Sequence, residues 1–289
     1  MGTRGHRRPL LCLALLAMTG AACGSTGATH STTPGSETAT AGTPNPTLPG
    51  DSTTAGPTLV PSGRCSTGSF PVSFFGPGFV GPATRIFSRQ FIADSGSYIE
   101  ACYPAGSSSP SSGDPGGAQA QLAIASRPTS DATLTYRILF PVGFQWVKGG
   151  KLPGLCGGSC WTGSHNGPGG WAARFMWRAD GDGEVLLSDA TTTGDGLDLG
   201  RGNWQFLADG QWHTLTEQVQ MNTPGEANGS IDVTYNGNAV ANLTGIEFRA
   251  AGDTDEIDSL MFSTFFGGNN SSWAPSATMF IGFADFGVE

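Results

Sequence analysis

The chain has 289 residues and a net charge of −9, and only 13% of its residues are charged. This acidic balance argues against a nucleic-acid partner, and it means that a polyanionic ligand would need a local cluster of positive charge. No stretch keeps the i, i+3, i+4 apolar spacing of a surface helix for three turns, which argues against a helical fold.

Residues 1–23 have the pattern of an export signal. Arg4, Arg7 and Arg8 precede an apolar run from Leu10 to Met18, which is shorter than the roughly 20 residues of a membrane-spanning helix. A cysteine directly after small residues fits a bacterial lipobox. We therefore expect a cell-surface lipoprotein that is acylated on Cys23 and touches the membrane only through this anchor. Ordinary secretion is the alternative, because the usual lipobox leucine is missing.

Residues 24–63 are mostly Ser, Thr, Pro and Gly. Such a composition buries too little apolar surface to offset the entropy lost on ordering, so we expect a disordered tether. One domain is expected to follow, at residues 64–289, which is within the usual size of a large all-β domain.

Short alternating apolar runs between turn signals predict β-strands through this domain. The pattern is typical of a β-jelly roll, a sandwich of two antiparallel sheets. Asn236-Gly237 predicts a tight hairpin, and residues 105–117 are expected to form a mobile surface loop. The expected strands are Gln119–Ser126, Thr133–Phe140, Trp171–Arg178, Glu184–Ser188, Trp212–Met221, Gly229–Tyr235, Asn238–Thr244, Ser259–Phe266 and Thr278–Val288.

Four cysteines fall in the domain: Cys65, Cys102, Cys156 and Cys160. An even number in an exported chain favours disulfides. Three pairings are open, and we expect Cys65–Cys102 and Cys156–Cys160, because a flexible Gly-Gly-Ser spacer separates the second pair. Zinc is less favoured, because the spacing is not CxxC and His165 is the only histidine nearby. No metal or cofactor is expected.

The only two lysines of the chain, Lys148 and Lys151, lie in the sequence VKGGKLPGL. An ammonium can change its pKa and exchange a proton, whereas a guanidinium cannot. Lys151 is therefore the first candidate for chemistry.

Residues 174–178 read RFMWR, and strand alternation places Arg174, Met176 and Arg178 on one face. Phe175 and Trp177 are expected to face the core, so the arginines would face outward. A surface arginine paired with an acid is the commoner case. Two arginines on one face soon after the lysines favour an anion site, because guanidinium groups match carboxylates.

Several strings of the chain, in order, resemble polysaccharide lyase family 14, from about Phe140 to the C-terminus. The resemblance implies a β-jelly roll and the activity of alginate and glucuronan lyases. The strings that carry it are GGKLPGL at 149–155, Gly170-Trp171, RFMWR at 174–178, Gly183-Glu184-Val185, Trp212-His213, VQMNTPG at 219–225, FSTFFGG at 262–268 and Trp273-Ala274-Pro275.

The implied reaction is β-elimination on a uronic acid. A cation neutralises the sugar carboxylate, a base removes the C5 proton, and O4 leaves with help from an acid. By the resemblance, Lys151 transfers the proton or binds the carboxylate, and Arg174 neutralises the substrate. A basic Lys151 needs a pKa below the usual value of about 10.4, which burial and the charges of Lys148 and Arg174 could produce.

The expected partner is an acidic polysaccharide, bound by a monomer. Lys148 and Arg178 are candidate substrate-binding residues. Gln218 and Gln220 share a strand face and would bind sugar hydroxyls if that face is the concave one. His213 is expected to be a hydrogen-bonded core residue.

The resemblance has a gap at three positions. Members of the family commonly carry a serine and a pair of tyrosines where this chain has Ala172, Leu186 and Ser188. A phenol that could exchange the elimination proton is therefore missing. A non-catalytic glycan-binding module is the alternative function, and an exported structural domain is a third.

Other residues could supply the proton. Tyr98, Tyr136 and Tyr235 could reach the cleft from other strands, whereas Tyr103, beside a cysteine, is expected to be structural. His165 is the more attractive substitute, because an unperturbed imidazole has a pKa near 6.5. A solvated loop histidine is the plain alternative.

Overall fold

The structure is a computed structural model, and it describes residues 63–113, 115–126, 128–162 and 169–289. The predicted export signal, Cys23 and almost all of the predicted tether lie outside the described residues, and so does His165. Among the helices in the described ranges, none has the length and apolar character needed to cross a bilayer.

The described chain is almost entirely β-structure. Four short 3-10 helices span Val72–Gly78, Pro110–Ser112, Ala179–Gly181 and Ser271–Trp273. The strands are β1 (Phe79–Thr84), β2 (Ile92–Asp94), β3 (Ile99–Tyr103), β4 (Ala118–Ile124), β5 (Asp131–Leu139), β6 (Gly149–Lys151), β7 (Gly154–Gly158), β8 (Gly170–Arg178), β9 (Gly183–Ser188), β10 (Leu197–Leu199), β11 (His213–Gln220), β12 (Gly229–Tyr235), β13 (Asn238–Ile246), β14 (Ser259–Phe266) and β15 (Met279–Val288).

The strands form two antiparallel sheets, as a jelly roll requires. Sheet A has the order β1-β4-β14-β6-β8-β9-β10. Strand β7 also pairs with β14 and β8, so β6 and β7 occupy the same position in the sheet, one after the other. Sheet B has the order β13-β12-β11-β5-β15-β3-β2. The predicted all-β sandwich is confirmed.

The core lies between the sheets and is rich in aromatic side chains. In β8, Phe175 and Trp177 are fully buried and face sheet B, as alternation predicted. Trp177 packs edge-on against Phe266, and Phe175 packs against Tyr136 of sheet B. Burial of each such side chain stabilises the fold by about 2 kcal/mol. This gain determines which face of the strand points to the core.

All nine predicted strands are present, with ends within two residues of the prediction. Six strands were not predicted: β1, β2, β3, β6, β7 and β10. Three of them have only three residues, which is too short for alternation to show. In β3 every residue is buried, so no polar face marks it. Lys151 is thus the last residue of a strand.

The segment 105–117 differs from the predicted surface loop, because Ser107, Ser108 and Ser109 are buried. Serine hydroxyls of this segment donate hydrogen bonds to backbone carbonyls that are three residues away. The Ser107 hydroxyl donates to the Pro104 carbonyl at 2.7 Å, and the Ser112 hydroxyl donates to the Ser109 carbonyl at 2.6 Å.

Both predicted disulfides are present, Cys65–Cys102 and Cys156–Cys160. The predicted hairpin is also present between β12 and β13. Asn236 and Gly237 have φ values of 52° and 75°, and a type I′ turn requires positive φ at both positions.

Two side chains of sheet B reach across the core to the segment that follows Lys151. Glu217 of β11 is fully buried and accepts a hydrogen bond from the Leu155 N–H at 3.0 Å. The Tyr136 hydroxyl donates to the Pro153 carbonyl at 3.2 Å. Burial raises the pKa of Glu217 to about 8, and the hydrogen bond from the Leu155 N–H partly offsets this rise.

We expect Glu217→Gln to remove a pH dependence of folding. Because the pKa of Glu217 is raised in the folded protein, the folded state holds a proton that the unfolded state releases, so stability falls as pH rises from about 4.5 to about 8. The isosteric amide does not ionise, so it should abolish this slope, and the stability of the variant relative to wild type should increase by about 1.4 kcal/mol for each pH unit between these limits. Urea unfolding at several pH values measures it. Equal slopes in both proteins would contradict the prediction.

Candidate functional site

A cavity of about 820 Å3 opens on the face of sheet A that points away from the core. Its floor includes Lys151, Arg174, Met176, Arg178 and Leu186, and aromatic side chains from neighbouring segments line its walls. Lys151 and Arg174, predicted from separate motifs, therefore share one cavity.

Strand register brings these residues together. Lys151 of β6 lies opposite Phe265 of β14 on one side and opposite Met176 of β8 on the other. Arg174 lies two residues from Met176 along β8 and therefore points to the same face. The Lys151 ammonium nitrogen Nζ is 2.8 Å from the Met176 sulfur, a neutral acceptor.

Glycines allow β6, which carries Lys151, and the following strand β7 to fit between β14 and β8. A Cβ on Gly150 would lie 2.1 Å from the Trp177 ring, and one on Gly154 would lie 2.0 Å from the Ala173 carbonyl oxygen. Larger residues at either position would push the strand away from β8 or β14. The glycines around Lys151 are therefore needed to place it.

The environment of Lys151 favours the neutral amine. Its pKa is lowered well below the usual value of 10.5, first by burial and then by the charges of Arg174 and Arg178. Glu184 and Asp198 oppose this shift. The amine therefore suits a base near neutral pH. The sequence predicted that the charges of Lys148 and Arg174 would lower the pKa of Lys151. Arg174 does so, whereas Lys148 is not among the causes of the shift.

Arg174 is a buried cation, with only 4% of its surface exposed. Its Nη1 donates to the Ser263 hydroxyl at 3.3 Å, and its Nε has no hydrogen-bond partner. No carboxylate of the described residues lies within ion-pair distance of it. Burial lowers the pKa of Arg174 to about 10. Its side chain is on the predicted face, but it lies inside the cavity and not on an open surface.

Arg178 differs from Arg174 because its charge is already neutralised. Its Nη2 lies 2.6 Å from Glu184 and 3.1 Å from Asp198. Arg201 extends the network to the other oxygen of Asp198, at 2.9 Å. Arg178 thus lines the cavity, but its guanidinium is held by protein carboxylates.

Lys148 lies at the rim of the cavity, exposed to solvent. Its ammonium donates to the Ser272 hydroxyl at 2.8 Å and lies 5.9 Å from the centre of the Trp273 ring, which lines the cavity. The indole lies against Gly268, where a Cβ would come within 2.1 Å of it. Lys148 is therefore available at the mouth.

The structure does not bring Gln218 and Gln220 to the cavity. Both are exposed on β11 of sheet B, and their face points away from sheet A. His213 is the hydrogen-bonded core residue that was predicted, 3.0 Å from Asp209 and 2.8 Å from Asn236.

None of the four tyrosines of the chain lines the cavity. Tyr136 and Tyr235 are buried in the core, and the Tyr103 hydroxyl is bonded to Thr264. Tyr98 packs against Trp212 next to sheet B. Tyrosine therefore does not fill the gap that the sequence showed.

Two features of the site were missed from the sequence. Glu184 and Asp198 come from β9 and β10, and nothing in the sequence pairs them with Arg178. Met176 could have been found, because strand alternation had already placed it on the face of Arg174.

The polysaccharide lyase 14 family model matches residues 92–286. Among solved structures, a PL-14 alginate lyase from Aplysia kurodai is 27% identical, with a TM-score of 0.59, over 71% of this chain and 90% of that one. An alginate lyase from Chlorella virus shares the fold at 19% identity and a TM-score of 0.63, over 75% and 95%. The endo-β-1,4-glucuronan lyase of the fungus Trichoderma reesei is 8% identical, with a TM-score of 0.50, over 75% of this chain and 94% of that one. No curated protein sequence matches.

Replacing Arg174 and replacing Arg178 should have different effects on the stability of the folded protein. Arg174→Met removes a buried charge that has no carboxylate partner, so we expect the ligand-free protein to be as stable as wild type or about 1 kcal/mol more stable. Arg178→Met leaves the buried Glu184 carboxylate without its main partner and should cost about 3 kcal/mol. Thermal unfolding measures both. A larger loss for Arg174→Met than for Arg178→Met would contradict this description of the charges.

Proposed function

The chain belongs to polysaccharide lyase family 14, and we propose that it cleaves a polyuronate by β-elimination in the cavity that holds Lys151 and Arg174. One observation carries the proposal. A buried guanidinium with no carboxylate partner among the described residues lies beside an amine whose pKa is lowered well below its usual value. The first group needs an anion, and the second can accept a proton.

In this mechanism the sugar carboxylate takes the place of the missing counter-charge. Arg174 binds it through its guanidinium N–H groups, which draws charge from the sugar and makes the C5 proton more acidic. The neutral amine of Lys151 removes that proton. The electron pair forms the C4=C5 double bond, and the bond from C4 to the glycosidic oxygen breaks.

The substrate class follows from the relatives. The Aplysia relative acts on alginate and the fungal relative on glucuronan, both polymers of uronic acids. Lys148 at the rim and Trp273 on the wall offer a cation and an aromatic surface to neighbouring sugars. We propose that the protein acts as a monomer, because Lys151 and Arg174, the two groups assigned to the reaction, line one cavity of a single chain and the proposed chemistry requires no second copy.

We further propose that the protein is exported and held at the cell surface by a lipid on Cys23. The basic, apolar and small-residue regions of residues 1–23 support this proposal. A long Ser/Thr/Pro/Gly-rich tether would let the domain reach a polymer outside the cell.

Lys151→Ala should lower the rate of elimination by about 100-fold or more, the usual contribution of a positioned base. The ultraviolet absorbance of the conjugated double bond measures it on alginate and glucuronan. Lys148→Ala is the matched control, because it removes the other lysine at the rim. We expect it to raise KM and to leave kcat within a few-fold.

Two outcomes would contradict the assignment. Comparable turnover by Lys151→Ala would show that this amine is not the base. No absorbance change with wild type on any polyuronate, together with retained binding, would indicate a glycan-binding module.

Cys23→Ala should release the protein from the membrane. Metabolic labelling with a fatty acid is expected to mark wild type and not the variant, since a lipobox cysteine is the acylated residue. Equal labelling of both proteins would show that the lipid is elsewhere, and an unlabelled wild type would indicate ordinary secretion.

A further inference from the structure

A second cavity, of about 780 Å3, lies apart from the cavity that holds Lys151, and the two share no lining residue. Its lining comes from the 3-10 helix Val72–Gly78, from the turn that follows β2, and from β2, β5 and β15, which are strands of sheet B. A cavity of this volume is within the usual size range of small-molecule sites.

A bulge in β15 shapes the second cavity. Two residues of β15, Asp285 and Phe286, lie opposite the single residue Tyr136 of β5. Asp285 has a φ of 52°, a left-handed conformation that is uncommon for residues other than glycine. The extra residue turns the Asp285 carboxylate towards Arg137, and the Phe286 ring stacks on Tyr136 at 4.9 Å. Such bulges re-aim side chains and are frequent beside binding sites.

Arg137 and Asp285 form an ion pair in the lining of this cavity. Arg137 lies between the core residues Tyr136 and Ile138 of β5, so its side chain points away from sheet A. Its guanidinium carbon lies 5.7 Å from the centre of the Trp212 ring, and its Nε has no hydrogen-bond partner. The side chains are 24% and 60% exposed, so a ligand can reach a donor and an acceptor side by side.

The charges of the lining favour a neutral ligand. Among the described residues, the charged side chains that line this cavity are Arg137, Asp285 and the exposed Asp94. The one guanidinium is already paired with a carboxylate, in contrast to Arg174. An anion would therefore meet two carboxylates and a cation that is already neutralised.

A sugar matches the rest of the lining. A hydroxyl group both donates and accepts, so two neighbouring hydroxyls can donate to Asp285 and accept from Arg137. Phe74 and Phe286, both partly exposed, also line the cavity and offer apolar surface to the C–H groups of a sugar ring. A mainly apolar wall with a few polar groups is the usual composition of such a site.

We propose that this cavity is a second carbohydrate site, which binds a neutral sugar through Arg137, Asp285 and the phenylalanines beside them. The inference does not depend on the proposed function, because it involves no residue of the cavity that holds Lys151. A neutral glycan bound here leaves that cavity free for an acidic chain. The protein would then be held on one polymer while it acts on another.

The test uses a variant that fills the cavity without changing its charge. Gly287 lines the cavity, and a Cβ at this position would have no atom within 4 Å, so the fold should tolerate Gly287→Leu. Arg137→Met is the second variant, since it removes the donors and keeps the apolar stem. Thr244→Leu is the matched control, because Thr244 is exposed on β13 of the same sheet and lies outside the cavity. Thermal unfolding checks that each variant is folded.

Isothermal titration calorimetry with cellotetraose, mannotetraose and chitotetraose measures the binding. Wild type should bind at least one of these neutral sugars. Gly287→Leu and Arg137→Met should each weaken that binding at least 10-fold, whereas Thr244→Leu should stay within 2-fold of wild type. Binding of none of the three by wild type, or equal binding by wild type and folded Gly287→Leu, would overturn the inference. Sulfate is the anionic probe, and a site that binds sulfate and none of the sugars would be an anion site instead.

Discussion

The site depends on a close fit of backbone against side chain in sheet A. Strand β6, which carries Lys151, and the following strand β7 fit between β14 and β8 because Gly150 and Gly154 place no side chain against Trp177 and the Ala173 carbonyl. Sheet B secures the same segment through Glu217 and Tyr136. The amine is thus held by the two sheets and their core, and its position does not rely on a flexible loop.

Two arginines on one strand face have different uses because of their neighbours. Arg178 forms ion pairs with Glu184 of β9 and Asp198 of β10, which neutralise its charge. Four residues earlier on the same strand, Arg174 faces Leu186 and Ser263 instead. A guanidinium without a carboxylate inside a cavity is costly unless a ligand brings one. This cost is the physical reason for assigning the anion site to Arg174.

Local patterns predicted the parts of the site that depend on one strand. Strand alternation correctly placed Phe175 and Trp177 on the core face and Arg174 on the opposite face. The rarity of lysine in the chain indicated Lys151 as a candidate for the chemistry. Patterns could not say which sheet a strand joins, so Gln218 and Gln220 were candidates only on the condition that their strand face is the concave one, and β11 belongs to sheet B. Nor could they show that acids from β9 and β10 neutralise Arg178, since these contacts depend on register across the sheet. The glycine-rich β6 and β7 were missed because they have no alternation.

The Arg174 guanidinium, which has no carboxylate partner in the part of the chain that the structure describes, also links the stability of the protein to its surroundings. An acidic polymer that enters the cavity supplies the absent counter-charge to the native state only, so it acts as a folding ligand and shifts the equilibrium away from the unfolded chain. Where the polymer is plentiful, the protein would resist heat and proteolysis better than where it is scarce. The lifetime of the catalyst would then follow the supply of its own substrate.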